Sequence, residues 1–179
     1  MQKKQWWGAI PLPDKNSILL QSNTFCVAVE HKGKELCIHV LRESISDDEH
    51  DSNELQCSVG RFSPVNCGEI SRHIINNKKV TLDVKPNLAD RTVVCRPKSP
   101  ITIAPGASVV IYLSTPIWLT LGVAEKQYTL LKDVATQQLS DTWFGASTME
   151  GELCYASQII GRLELDKLTY TGQRAITPF

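Results

Sequence analysis

The chain lacks an excess of charge of either sign, and it lacks the motifs that bind phosphates. Its 19 basic and 19 acidic side chains cancel. Such a chain generates no long-range field that concentrates phosphate backbones, so we expect no nucleic acid as a partner. GxGxxG and GxxxxGK[ST] do not occur, and GxSxG is also missing. The sequence therefore gives no support to a nucleotide-binding loop or an α/β-hydrolase.

Residues that bind metals are few and poorly spaced. The four histidines and six cysteines form no CxxC pair, and the HxH pair of many metal-binding cupin barrels is absent. Cys57, Cys67 and His73 lie too far apart for a zinc knuckle. The acidic residues 43–54 predict an exposed loop. A calcium loop that starts at Asp47 would lack the glycine at its sixth position and would have Ser58 in place of its final glutamate. We therefore expect no metal and no cofactor.

A signal peptide is not evident either. The residues after Lys3 and Lys4 form no apolar core of the required length, so we expect a cytoplasmic protein with reduced cysteines. An interfacial membrane anchor at Trp6 and Trp7 is the least favoured hypothesis, because both rings can instead pack under the first hairpin.

Residues 99–124 carry no charged side chain, which raises the question of a membrane span. Pro105, Gly106 and Pro116 interrupt this stretch, and its valine, isoleucine and threonine content favours strands over a helix. We therefore do not expect the chain to cross a membrane.

What the sequence does contain is period-two alternation of apolar and polar residues, in residues 80–84, 117–121 and 162–166. Residues 91–96 and 109–113 are more continuously apolar, and turn signals at 86–87, 97–98 and 105–106 recur about every ten residues. This rhythm predicts one all-β domain over residues 1–179, a mainly antiparallel β-sandwich that is jelly-roll-like or barrel-like. One or two short helices are expected at residues 69–76 and 133–140.

A β-hairpin is predicted around Gly33. If Lys32 and Gly33 form its two-residue turn, cross-strand partners have residue numbers that sum to 65. Six large apolar side chains then share one face, while Cys26 and Cys37 fall diagonally on the other face at roughly 7 Å, too far for an unstrained disulfide. The six are Phe25, Val27, Val29, Leu36, Ile38 and Val40.

The block at residues 141–157, DTWFGASTMEGELCYAS, crowds rare residue types into a short window. We expect Trp143 and Phe144 to fill one end of the sandwich core, since large aromatics dominate core energetics. We also expect Cys154 to be a buried strand residue, because no histidine is placed by the sequence to act as its base.

An alternative hypothesis makes the same block a ligand site. Aromatic rings beside a glycine can stack a sugar or a base, and paired carboxylates can hydrolyse glycosides. The candidate ligand-binding residues under this hypothesis are Trp143, Phe144, Glu150, Glu152 and Tyr155.

The block also carries a resemblance. Together with STPIWL at residues 114–119 and RAITP at residues 174–178, it resembles the family called domain of unknown function 432. Trp7, Gly8 and the first hairpin look like the family's opening, so the resemblance covers most of the chain. The family has no established activity, so the resemblance implies no catalytic residue.

Members of that family continue past the threonine-proline pair into further strands. Either this protein is a short variant or its last strands are absent, and an absent strand leaves a sheet edge free. With no nucleophile, metal set or phosphate loop, we expect a non-enzymatic module that binds a protein partner or itself, for example by strand addition. The alternative is a small-molecule or carbohydrate-binding enzyme whose site is the 141–155 block.

Overall fold

A computed structural model describes residues 6–42, 55–61, 68–76, 79–124, 127–159, 161–164 and 174–178. The acidic stretch at 43–54 lies outside the described residues. The described part contains strands and no helix, which confirms the all-β prediction. The strands are β1 (Gly8–Leu12), β2 (Ser17–Gln21), β3 (Phe25–Lys32), β4 (Glu35–Arg42), β5 (Gln56–Gly60), β6 (Glu69–Ile74), β7 (Val80–Asn87), β8 (Val93–Pro97), β9 (Tyr112–Pro116), β10 (Trp118–Ala124), β11 (Tyr128–Ala135), β12 (Ser140–Gly145), β13 (Gly151–Ile159) and β14 (Arg174–Pro178).

The strands form four sheets. Sheet 1 has the order β1-β7-β10-β11 and sheet 2 the order β5-β2-β3-β4-β6. Sheet 3 has the order β12-β13-β8 and sheet 4 pairs β14 with β9. Every pairing is antiparallel except that of β13 with β8, so the architecture is mainly antiparallel as predicted.

Sheets 1 and 2 are held together by one apolar core. Alternate residues of β7 and β10 in sheet 1 belong to the same buried cluster as alternate residues of β2, β3 and β4 in sheet 2. Fully buried side chains such as Leu82, Leu119, Val27 and Ile38 contribute about 1.5–3 kcal/mol each on leaving water. This pair of sheets is the sandwich that the alternation predicts.

The β3–β4 hairpin confirms the predicted faces and corrects the register. The turn is Gly33 and Lys34, so Val27 pairs with Val40 and Lys32 with Glu35, a shift of two residues. Gly33 has a φ of 64°, as the first central residue of a type II′ turn requires. Because side chains alternate with period two, a shift of two leaves all six apolar residues on the buried face.

The predicted diagonal contact between Cys26 and Cys37 is wrong. Cys26 pairs with Leu41 and Cys37 with Glu30, four positions apart along the ladder. The two cysteines therefore form no disulfide with each other.

The two predicted short helices are also wrong. Residues 69–74 are strand β6, which pairs with β4 along its length, so inter-strand hydrogen bonds replace the helical ones. Residues 133–140 comprise the end of β11, a break, and the start of β12. The predicted turn at 86–87 is likewise the end of β7.

The described residues contain no helix long and apolar enough to cross a membrane. Residues 112–116 and 118–124 of the uncharged stretch are strands β9 and β10. Trp6 is buried in the sandwich core and meets Trp7 edge to face at 5.2 Å. Trp7 remains partly exposed, while Lys3 and Lys4 lie outside the described residues.

Candidate functional site

The 141–155 block forms the β12–β13 hairpin. This hairpin lies at one edge of sheet 3 and is exposed to solvent. Trp143 pairs with Leu153 and Phe144 pairs with Glu152. Because neighbouring residues of a strand point to opposite faces, the two aromatic rings lie on opposite faces of the hairpin. Within the described residues, strand β12 is paired only with β13, so its other side is an edge.

Two glycines explain the WFG and EGE pattern of the motif. A Cβ on Gly145 would lie 2.1 Å from the Glu150 carbonyl oxygen, and one on Gly151 would lie 2.6 Å from the Phe144 carbonyl oxygen. The Trp143 indole covers Gly151, and its Nε1 donates a hydrogen bond to the Ser147 carbonyl at 2.8 Å. The motif therefore encodes a tight hairpin end with a tryptophan laid against a glycine.

The hairpin presents its aromatic rings to water, which corrects the prediction that they fill the core. Trp143 is 47% exposed and Phe144 is 59% exposed. Leu153 is 49% exposed, and Met149 at the hairpin end is 90% exposed. Neither ring belongs to the sandwich core, because no second layer covers this end of sheet 3 within the described residues.

The two glutamates of the block do not face one another across a cavity. Glu150 lies in the turn, where its backbone N–H donates to the Ser147 hydroxyl at 3.1 Å. Glu152 lies on the Phe144 face of β13. Both residues are exposed, and Tyr155 lies on the Trp143 face. The five candidate residues are therefore divided between two faces and a turn.

Cys154 is fully buried, as the sequence predicts. Burial is the main cause that raises the pKa of its thiol above the ordinary value, and the Glu152 carboxylate adds to the effect. Its Sγ lies 3.7 Å from the Glu152 carbonyl oxygen. A thiol in these surroundings is kept protonated and behaves as a small apolar side chain.

Tyr155 sits at the base of the hairpin, where it joins sheet 3 to the sandwich. Its ring packs against Trp118 with centroids 5.5 Å apart, and the Arg91 guanidinium lies 4.4 Å from the ring centroid. Burial, followed by a hydrogen bond with Asp90, raises the pKa of the Tyr155 hydroxyl. Arg91 also forms an ion pair with Asp141 at 3.2 Å, which fastens the base of β12.

Tyr155 also lines a cleft of about 430 Å³ that no motif in the sequence indicates. Its wall includes Arg42 at the end of β4, Glu69 at the start of β6 and Gln137 between β11 and β12. These residues are far apart in sequence and become neighbours only where sheets 1, 2 and 3 meet. No spacing signal could have identified them.

The charged groups of the cleft are held in place by the fold. Arg42 Nε donates to the Ala135 carbonyl at 2.9 Å, and its Nη1 lies 3.5 Å from the Glu69 carboxylate. The Lys132 ammonium donates to Glu69 at 2.5 Å. This hydrogen bond is the main cause that lowers the pKa of Glu69, so Glu69 is ionised at neutral pH.

The described residues contain no group of three histidine, cysteine or acidic side chains placed to hold a metal ion. Of the cysteine and histidine set considered for zinc, Cys57 lies in β5 and His73 in β6, while Cys67 is outside the described residues.

These features define the class of protein: an all-β, sandwich-like fold with an exposed aromatic hairpin on an additional sheet. The chain belongs to the family described as protein of unknown function (DUF432), which it matches over residues 6–179. No curated protein and no solved structure matches the chain.

Proposed function

We propose that this protein is a non-enzymatic module that binds a protein partner or a second copy of itself through the β12–β13 hairpin. The observation that carries the proposal is the exposure of Trp143 and Phe144 on the two faces of an edge strand. Tryptophan and other aromatic residues dominate the binding energy of protein interfaces.

The exposed apolar surface of the hairpin supports this function. Trp143 and Leu153 form an exposed apolar pair on one face of the hairpin, Phe144 is exposed on the other face and Met149 is exposed at the hairpin end. Exposed apolar surface of this kind commonly marks an interaction site. The glycines and the indole hydrogen bond hold Trp143 in one position, so little side-chain entropy is lost when a partner covers it.

The edge chemistry of β12 also supports strand addition. Proteins protect exposed sheet edges with prolines and charged residues. The edge strands β1, β8, β9 and β14 each contain a proline, and β6 and β11 contain Arg72 and Lys132. Strand β12 contains no proline, and its one charged residue, Asp141, is ion-paired with Arg91 at the base of the strand. Strand β5 has neither proline nor a charged residue, but it also has no aromatic residue.

Self-association is the form of this proposal that we test first. Antiparallel pairing of β12 with β12 of a second copy joins two three-stranded sheets into one. Such a contact is self-complementary, as a two-fold dimer requires. It also places the Trp143 and Phe144 side chains of both copies beside the new strand pair.

A cytoplasmic location forms part of the proposal. The thiols of Cys37, Cys95 and Cys154 are free. Free thiols are typical of proteins that work in a reducing compartment.

The alternative enzyme hypothesis needs its candidate residues to converge on one cavity. Phe144 and Glu152 lie on the opposite face of the hairpin from Trp143 and Tyr155. This arrangement favours contact with another chain over enclosure of a small substrate.

The test is sedimentation equilibrium over a range of protein concentrations. We expect the wild type to dimerise and the double variant Trp143→Ser/Phe144→Ser to weaken the dimer at least about 100-fold, since a buried interface aromatic contributes about 2 kcal/mol. The control is Ile70→Ser/Ile74→Ser, which removes two exposed apolar residues from the edge strand β6. The control should leave the dimer unchanged.

A wild type that stays monomeric at about millimolar concentration overturns self-association. Proximity labelling in cells then tests the remaining form of the proposal. If the hairpin binds a different protein, some proteins that the wild type and the β6 control label will not be labelled by the Trp143→Ser/Phe144→Ser variant. Identical labelling by all three chains contradicts the proposed function.

A further inference from the structure

The cleft beside Tyr155 has the dimensions and lining of a small-molecule site. Its volume of about 430 Å³ falls within the range of roughly 300–1,000 Å³ that ligand pockets occupy. It lies where β4 and β6 of sheet 2, β10 and β11 of sheet 1, and β13 of sheet 3 meet. Such junctions between packed units are common places for ligands.

The polar groups that converge on the cleft are mainly hydrogen-bond donors. Arg42 uses Nε on the Ala135 carbonyl, which fixes the guanidinium plane and leaves the Nη2 side of the fork for a ligand. Gln137 accepts from Arg174 through Oε1 at 2.8 Å, so its amide nitrogen is the end that is left to donate. Gln137 is only 9% exposed, so this donor is held at a defined depth.

The charged side chains that line the cleft are Arg42 and Glu69, and Lys132 neighbours Glu69. Arg42 and Lys132 are cationic, and Glu69 is the carboxylate that contacts both of them. The Nη2 group of Arg42 and the amide nitrogen of Gln137 supply one donor for each of the two oxygens of a carboxylate.

The remaining lining is apolar. Val40, Leu41 and Leu139 line the cleft together with Trp118 and Tyr155. A ligand with an apolar body gains from covering these side chains while its anionic end meets the donors.

We propose that this cleft binds a small carboxylic acid with an apolar body, whose carboxylate accepts hydrogen bonds from Arg42 and Gln137. The site is separate from the exposed hairpin of the proposed function. A carboxylate of this kind belongs either to a free small acid or to the C-terminus of a peptide that ends in an apolar residue.

The experiment is a titration of the wild-type protein followed by ¹H–¹⁵N NMR. Benzoate is the probe, and benzamide is its neutral counterpart of the same shape. We expect saturable shifts with benzoate at residues that line the cleft, and binding of benzamide at least about tenfold weaker, because a charge-assisted hydrogen bond is roughly twice as strong as a neutral one. Equal binding of the two probes overturns the proposal.

Two variants change the lining of the cleft without removing the hydrogen bonds that hold the folded structure together. Gln137→Glu keeps an acceptor for Arg174 but replaces the ligand donor with a negative charge. Gly68 lines the cleft, and an added Cβ there meets nothing within 4 Å, so Gly68→Leu narrows the cleft sterically. We expect each variant to weaken benzoate binding about tenfold or more while the melting temperature is retained.

The matched control is Gln158→Glu, which adds the same charge at an exposed position of β13 that does not line the cleft. If Gln137→Glu and Gln158→Glu bind benzoate equally well, the assignment is wrong.

A further pair of probes, N-acetylphenylalanine and N-acetylalanylphenylalanine, distinguishes the two sources of the carboxylate. Tighter binding of N-acetylphenylalanine indicates a free acid, and tighter binding of N-acetylalanylphenylalanine indicates a peptide C-terminus. The C-terminal amides of both probes should not bind.

Discussion

The sandwich and the β12–β13 hairpin differ in what covers their apolar residues, although both consist of antiparallel strands. In the sandwich, Leu82 and Ile38 are completely buried between sheets 1 and 2. In the hairpin, Trp143 and Leu153 form a cross-strand pair on one face, and each is about half exposed. Two sheets cover one another in the first region, whereas none of the other described strands covers the end of sheet 3.

The change occurs within a single strand. In β13, Gly151, Glu152 and Leu153 are exposed, while Cys154, Ser157 and Ile159 are buried. The same strand therefore belongs to the interior at one end and to the surface at the other. Local sequence specifies which residues share a face of a strand. Whether that face is buried from solvent depends on a second layer of the fold.

The largest expected difference between the two regions is the cost of removing a leucine. We expect Leu82→Ala to lower the free energy of unfolding by about 3 kcal/mol, because it leaves a cavity in a closed core. We expect Leu153→Ala to change it by less than about 0.5 kcal/mol, because that side chain is half in water.

Urea denaturation followed by circular dichroism measures both values. The same curves test the prediction of one domain over residues 1–179, which requires a single transition in which sheet 3 and the sandwich unfold together. Equal losses for the two leucines would remove the distinction between the regions.

Arg174 is expected to give the next largest effect, because it ties sheet 4 to sheet 3. Its Nε donates to the Ser114 hydroxyl at 2.9 Å and its Nη2 lies 3.3 Å from the Ser157 hydroxyl. Lysine keeps the charge but cannot form this fork, so Arg174→Lys should cost about 2 kcal/mol. Thermal and urea unfolding measure the loss, and hydrogen exchange should accelerate first in β9 and β14. Unchanged exchange there would contradict the bridging role.

A smaller and local effect is expected at Gly151, where an added Cβ would lie 2.6 Å from the Phe144 carbonyl oxygen and 2.8 Å from the Trp143 indole. Gly151→Ala should cost about 1 kcal/mol and displace the indole. Gly68→Ala is the matched control, because its added Cβ meets nothing within 4 Å. Tryptophan fluorescence and hydrogen exchange in β12 report the change, and a silent Gly151→Ala variant would show that Trp143 is not held by this glycine.

The sequence predicts those parts of the fold that follow from the alternation of apolar and polar residues along a strand. The buried faces of β3 and β4 follow from alternation alone, and they survive the register error because the shift is two residues. The shift itself depends on whether the turn begins at Lys32 or Gly33, and a glycine suits more than one turn position.

The remaining features depend on long-range contacts. Residues 69–74 are drawn into a strand because β4 offers them a ladder, which local propensity does not reveal. The sequence predicts Trp143 and Phe144 in the core because large aromatics are usually buried. It does not indicate that, in the described part of the chain, no second layer covers the end of sheet 3. Arg42, Glu69 and Gln137 meet only through the packing of three sheets.

The smallest expected effect concerns His73, at the edge of the sandwich on β6. Burial, and then the charge of Lys132, lowers the pKa of His73 below its ordinary value of 6.5. Its Nε2 is buried without a hydrogen-bond partner in the described part of the chain. Protonation therefore disfavours the folded state relative to the unfolded state, in which the imidazole is in water and far from Lys132.

The sign follows from proton binding. As pH falls below about 6.5, the unfolded chain takes up a proton at His73 before the folded chain does, so stability present at neutral pH is lost toward pH 5. His73→Gln removes this contribution and should flatten the pH dependence of the urea midpoint between about pH 7 and pH 5. Ile74→Ser, at the adjacent exposed position, should leave the wild-type slope. If the urea midpoint depends on pH equally in the wild type and in His73→Gln, the imidazole of His73 is hydrated in the folded state. The edge of the sandwich would then resemble the hairpin, whose aromatic rings are exposed to water.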